Sequence, residues 1–221
     1  MRHGPSLHGD PQPTTTGTTI GPARAYEAFC TLAFAGRRRA IFSRLVTLGG
    51  AQPGERVLDA GCGPGYLTRL AAAAVRPGGT ALGIDPSPSV IRYAQRVTAQ
   101  DGCTFELGVA EALDLPDGSF DLVLSSLMLH HLPDDLQPQA LREMLRVLRP
   151  GGRLVIADFR PPRSRLGRRL VDAMTDAQMQ RDPIDRLEAL VRDAGFEIAG
   201  RGDLRPYLHY VQALRPIDAV A

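Results

Sequence analysis

Residues 57–65 read Val57-Leu58-Asp59-Ala60-Gly61-Cys62-Gly63-Pro64-Gly65, a short apolar run that empties into three alternating glycines. The run from Arg56 to Ala60 has the length and aliphatic content of a buried strand. Glycines at 61, 63 and 65 permit positive φ and let the main chain approach a ligand closely. Leu67, Leu70, Ala71 and Ala74 then give the following segment one apolar helical face. Strand, glycine turn and helix open an α/β sheet, whose ligands sit in the crevice at the carboxyl ends of the strands.

The glycine spacing argues against phosphate. A dinucleotide turn needs its third glycine one position later, where this chain has Tyr66. Pro64 removes an amide donor from the turn, and a P-loop lacks its lysine because the chain contains none. The next strand ends in Gly83-Ile84-Asp85. A carboxylate there accepts from both hydroxyls of a ribose, although an aspartate in that place also serves as a helix cap.

Outward from these motifs, strands and helices alternate. Pro77-Gly78-Gly79 turns into a strand over Ala81–Ile84, and Ser87 caps a helix with Val90, Ile91, Ala94 and Val97 inward. A strand over Thr104–Leu107, a loop over 108–119 and a strand over Phe120–Ser125 follow. Leu136, Ala140, Leu141, Met144, Leu145 and Leu148 mark an amphipathic helix. Arg149-Pro150-Gly151-Gly152 stops it and feeds a strand over Arg153–Asp158. Asp182 and Pro183 start a helix carrying Ile184, Leu187, Leu190, Val191 and Ala194. Phe196–Gly200 and Tyr207–Leu214 read as strands with no helix between them, so they pair antiparallel. The expected fold is a single α/β domain with a doubly wound, mainly parallel sheet and an antiparallel C-terminal hairpin at its edge. Upstream, residues 1–21 are rich in Pro, Thr and Gly and are expected to form a flexible tail. Tyr26, Phe29, Ala33, Ile41, Phe42, Leu45 and Val46 give helical spacing over 23–48, broken at Gly36.

Composition narrows the function classes. The 221 residues are 43% hydrophobic and 23% charged, as in a folded domain. No apolar run is long enough for a bilayer, and the N-terminus lacks the apolar core of a secretory signal. Three cysteines, Cys30, Cys62 and Cys103, form no CxxC pair, so a reducing cytoplasm is the expected location. Net charge is +2, too small to argue for nucleic acid. Arg37–Arg39 and the five arginines within 160–169 are expected to be solvated faces, with an acidic acceptor or a membrane surface as the alternative.

Taken together, VLDAGCGPG and GIDPS resemble the first two motifs of the class I S-adenosylmethionine (SAM)-dependent methyltransferases. AEALDLPDGSFDLVLSS, HHL and RVLRPGGRLVIADF resemble the later ones, in order, over about residues 54–160. The nearest branch in character holds the ubiquinone and menaquinone C-methyltransferases and many small-molecule methyltransferases. The resemblance implies a Rossmann-like sheet, with 22–50 as a helical lid, 54–160 as the SAM-binding core and 161–221 as substrate-side helices and closing hairpin. It implies that Gly61, Cys62 and Gly63 approach the methionine half of SAM, and that Asp59 orders the turn or meets the ammonium through water. It also implies that Asp85 holds the ribose, Pro86 lies beside the adenine, and Ala110 and Glu111 edge it. The carbonyl near Ser125 would meet the methionine amine, and Tyr26 would close over the carboxylate. Val109 departs from the pattern, since many relatives carry an aspartate there to accept from the adenine amino group.

The implied partner is a small-molecule acceptor, acidic or lipophilic, with an O, N or C nucleophile. A base is required only where that nucleophile carries a proton at attack. The candidates are His130 and His209, with His131, Tyr207 and Tyr210 behind them. His209 and Tyr210 alternate along one strand, so only one of them faces a given side. No metal is expected, because His130-His131 has no partner at ligand spacing. Met128 and Leu129 are expected in the core. A catalytically silent SAM-binding partner or sensor and a nicotinamide-dependent oxidoreductase are the alternatives.

Overall fold

The computed structural model describes residues 34, 36–160, 184–205 and 208–217. The expected tail at 1–21, Tyr26 with the first lid helix, the arginine run beyond Arg160, Asp182, Pro183 and Tyr207 lie outside the described residues.

The strands are β1 (Arg56–Ala60), β2 (Thr80–Asp85), β3 (Cys103–Leu107), β4 (Phe120–Ser126), β5 (Leu148–Phe159), β6 (Glu197–Leu204) and β7 (Leu208–Leu214). They form one sheet in the order β3-β2-β1-β4-β5-β7-β6. The pairs β1–β2, β2–β3, β1–β4 and β4–β5 run parallel. The last two strands form the expected hairpin, and β7 lies antiparallel to both β5 and β6. The helices are α1 (Arg38–Leu48), α2 (Tyr66–Ala74), α3 (Pro88–Val97), α4 (Gln137–Val147) and α5 (Ile184–Asp193).

The central strands are mainly apolar in their middles because both of their faces are covered, and their polar residues gather toward the ends. On one face Val57, Leu122, Leu124, Val155 and Leu208 pack against Ile41, Phe42 and Leu45 of α1 and Leu67 and Ala71 of α2. On the other, Leu58, Val123, Leu154, Ile156 and Val211 pack against Leu141 and Met144 of α4 and Leu187 and Val191 of α5. Odd and even positions of each strand thus serve different cores, as the two-residue period requires. The winding reverses between β1 and its neighbour β4, and a crevice opens at their carboxyl ends.

Four expectations are corrected. Val97 is 44% exposed, because α3 ends there and its inward face closes with Ala94. Ser87 occupies the N-cap position of α3 without a side-chain cap bond; its hydroxyl lies 3.1 Å from that of Ser89. Leu148 belongs to β5, where it pairs with Phe120, and α4 stops at Val147. The Arg37–Arg39 run is not uniformly solvated: Arg37 and Arg39 are exposed, but Arg38 is only 7% exposed.

Candidate functional site

The glycine turn leaves β1 with Gly61, Gly63 and Gly65 at φ of 74°, 52° and 77°. A side chain on Gly65 would sit 2.3 Å from the Phe105 ring, so the third glycine is required by close packing of α2 on β3. The amides of Gly61 and Cys62 both donate to the Ile84 carbonyl at 2.9 Å. Asp85 completes the tie: its Oδ2 accepts from the Gly63 amide at 3.0 Å and its Oδ1 from the Ser87 amide at 2.9 Å. Each oxygen keeps a second lone pair for a ligand. Burial raises the Asp85 pKa against the pull of these two amides.

Asp59 is 1% exposed, and its Oδ2 accepts from the Thr68 hydroxyl at 2.6 Å. Burial pushes its carboxyl up to about 7, despite the hydrogen bonds from Thr68. Burial also holds the Cys62 thiol well above its ordinary range, so it packs rather than reacts.

Asp59, Gly61, Cys62 and Gly63 line one cavity with Arg38, Phe42, Tyr66, Leu67, Ser126 and Leu127. The Arg38 guanidinium lies 4.1 Å from the Tyr66 ring centroid and 5.7 Å from that of Phe42. The buried hydroxyl of Ser126 has no hydrogen-bond partner among the described residues. Leu127 beside it takes φ of 56°, in the left-handed region, and its amide donates to the Ala157 carbonyl at 2.9 Å. Ser125, one residue earlier, is buried and donates to the Ala60 carbonyl at 2.9 Å, binding β4 to β1.

On the β2 side, Gly108 donates to the Asp85 carbonyl at 3.3 Å, which holds the loop 108–112 beside Asp85 and Pro86. Val109 and Ala110 are buried there and Glu111 is half-buried. Farther along the loop, Arg146 of α4 donates to the carbonyls of Leu113 and Leu115 at 2.8 and 2.7 Å. Glu143 accepts from the Leu113 amide at 2.8 Å.

Two of the described histidines, His130 and His209, each pair with an aspartate. His130 follows β4 in a short 3-10 turn, Leu129–His131. Its Nδ1 lies 2.5 Å from Asp158 Oδ1, and its amide donates to Asp158 Oδ2 at 3.0 Å. Burial alone would lower the His130 pKa, but the adjacent Asp158 charge and hydrogen bond raise it. Burial and His130 together bring His131 down to about 4. His209 is 7% exposed, with Nδ1 2.9 Å from Asp203 Oδ1. Tyr210 points to the other face, over Gly202, with its hydroxyl 2.9 Å from where a side chain there would begin. Leu129 is in the core, and Met128 packs against Gly61. Among the described residues, no three His, Cys, Asp or Glu side chains gather as a metal site would require.

A family model described as a methyltransferase domain matches residues 57–152. A ubiquinone/menaquinone biosynthesis C-methyltransferase of Ectopseudomonas mendocina is 32% identical over 178 residues, covering 69% of each chain. The chain belongs to the class I SAM-dependent methyltransferases. A demethylmenaquinone methyltransferase of Symbiobacterium thermophilum is 37% identical over 118 residues, 52% of this chain and 46% of that protein. The chain thus spans less than half the length of several curated relatives. The crystal structure of a SAM-dependent methyltransferase from Aquifex aeolicus shares the fold, with a TM-score of 0.70 at 19% identity, covering 89% of this chain and 99% of that one.

The cofactor of this methyltransferase family is SAM, and the cleft suits its amino-acid end. The buried cation of Arg38, the buried acid of Asp59 and the unpartnered Ser126 hydroxyl line the wall beside the glycine turn. Sequence reasoning missed Arg38, Thr68, Ser126, Asp158 and Asp203. Asp158 carried a signal as an acid at the carboxyl end of an apolar strand, and Arg38 carried one in its spacing of three, four and seven residues to Ile41, Phe42 and Leu45. No helix among the described residues is long and apolar enough to cross a membrane.

Proposed function

We propose that this chain transfers the methyl group of SAM to a small-molecule acceptor. The observation that carries the reading is the cleft at the β1–β4 reversal, where Arg38, Asp59 and Ser126 meet the glycine turn. The bound sulfonium supplies an activated methyl group, so the chain's own task is alignment and exclusion of water.

Gly61, Cys62 and Gly63 present main chain to the methionine half. The Arg38 guanidinium takes the carboxylate, a role the sequence assigned to Tyr26. Asp59 and the carbonyls around Ser125 face the ammonium. Asp85 accepts from the ribose hydroxyls with its remaining lone pairs. Pro86, Ala110 and Glu111 border the adenine. His130 is the base beside the acceptor, since its turn continues from Ser126 and Leu127 of the cleft wall, whereas no residue of β7, which carries His209, lines the cleft. A small organic acceptor accords with the relatives named for demethylmenaquinone and for ubiquinone/menaquinone biosynthesis, and a cytoplasmic setting accords with three cysteines that form no CxxC pair.

Titration calorimetry with SAM and S-adenosylhomocysteine (SAH) tests the reading. Micromolar binding of both is expected, and no heat for either on demonstrably folded protein rules it out. SAH release from SAM plus an acceptor separates an enzyme from a silent SAM-binding protein.

A further inference from the structure

We propose that the outer face of α1, α2 and α3 docks this chain on an anionic lipid surface. This goes beyond the cofactor reading above and does not depend on it.

The three helices lie side by side over one face of the sheet. Phe42 of α1 meets the Tyr66 ring of α2 edge-on, with centroids 5.6 Å apart. Arg69 of α2 donates to the Thr98 hydroxyl just past α3 at 3.4 Å, and the Gln100 side chain donates to the Arg69 carbonyl at 3.3 Å. The layer carries charge of one sign. Arg38, Arg39 and Arg44 stand on α1, Arg69 on α2, and Arg92 and Arg96 on α3, and none of these helices has an aspartate or a glutamate. Arg39, Arg44, Arg92 and Arg96, with Arg37 just before α1, are exposed, and no acid pairs with any of them among the described residues.

The opposite layer is neutralised. Arg146 of α4 pairs with Glu143, and on α5 Arg192 pairs with Glu188 and Arg186 with Asp134. The whole chain carries a net charge of only +2, so the basic face comes from segregation of charge and not from excess. Guanidinium groups without acids between them repel one another, and an anionic partner removes that cost.

The side chains among the arginines select the partner. A protein interface has large apolar and aromatic side chains at its centre, and single-stranded nucleic acid needs aromatic platforms for its bases. Here the exposed large apolar residue is Val97, next to Arg96, while Tyr93 is half-buried with the Arg96 guanidinium over its ring at 5.8 Å. Lipid headgroups move to meet each guanidinium without a preformed pocket, and a valine beside the charges suits the boundary between headgroups and acyl chains. Because α1 also gives Arg38 and Phe42 to the cleft wall, docking by this face sets the cleft beside the headgroups.

The test uses the full chain. It is sedimented with vesicles of phosphatidylcholine alone and with vesicles of equal parts phosphatidylcholine and phosphatidylglycerol. Partition to the anionic vesicles should be at least about 10-fold stronger in low salt and should vanish in half-molar sodium chloride. Arg39→Gln, Arg44→Gln, Arg92→Gln and Arg96→Gln should each weaken it about 5-fold, and the four together should abolish it. Melting temperature and SAH affinity should stay the same in the quadruple variant, which separates lost docking from lost folding. Arg142→Gln combined with Arg186→Gln, on the opposite layer, should leave partition unchanged. Equal partition to both vesicles, no loss in the quadruple variant, or equal loss in the opposite-layer variant overturns the proposal. Tighter binding to duplex DNA or to polyglutamate, at the same charge concentration and salt, gives the face to that polyanion and also overturns it. Vesicle binding needs no SAM, so its failure leaves the cofactor reading standing, and absence of SAH binding leaves the basic face standing.

Discussion

Asp85 accepts the Gly63 amide at 3.0 Å across 22 residues of chain, so the acid that ends β2 also shapes the glycine turn that ends β1. One carboxylate therefore couples the two motifs that read as separate in the sequence. Its other oxygen holds the Ser87 amide at the start of α3.

Asp85→Ala removes these acceptors and the proposed ribose contact together. Hydrogen bonds to a charged group contribute about 1.5–3 kcal/mol each, so SAM affinity should drop at least about 100-fold. The turn should also loosen, seen as faster amide exchange at Gly63. Asp85→Asn keeps one acceptor and should retain part of both. Equal affinity in wild type and both variants would reduce Asp85 to a helix cap.

Asp59 predicts a pH dependence whose sign is fixed by burial. Its folded pKa is raised to about 7 from 3.8. Its stabilising share is therefore full below about 4 and is lost as pH rises through 7. Asp59→Asn removes that loss. At pH 8 the variant should be the more stable protein by up to about 4 kcal/mol in urea unfolding, with little difference at pH 4. Its SAM affinity should nevertheless be lower, because the ammonium loses its acid. Parallel stability curves for the two proteins across this range would show that Asp59 is not the group that titrates.

Arg38 should discriminate the carboxylate of SAM. Wild type is expected to prefer SAM to its decarboxylated analogue by at least about 10-fold, since a charge-assisted bond is worth about 1.5–3 kcal/mol. In Arg38→Met the preference should vanish, through loss of SAM affinity alone. A preference that survives the substitution assigns the carboxylate to another residue.

The sequence by itself determined the alternation of strands and helices, the glycine turn after β1, the acid at the end of β2 and the helix-free C-terminal hairpin. These follow from neighbours along the chain: a period of two or 3.6, a glycine where φ must be positive, an acid where an apolar run stops. It could also place His130 just past β4, because that position counts forward from a strand end. Only the tertiary structure decided which side chains meet across elements. Asp158 reaches His130 because β5 lies beside β4 in register, 28 residues away along the chain. Of three successive arginines, helical spacing puts only Arg38 on the face of Ile41, Phe42 and Leu45, but it is the docking of α1 over α2 that brings it onto Tyr66. Val97 shows the reverse: its spacing is that of a buried face, but α3 ends there and leaves it 44% exposed. Periodicity records which face of an element is apolar. The partner that covers that face, and the polar groups caught at its border, depend on strand order and register, which no local pattern encodes.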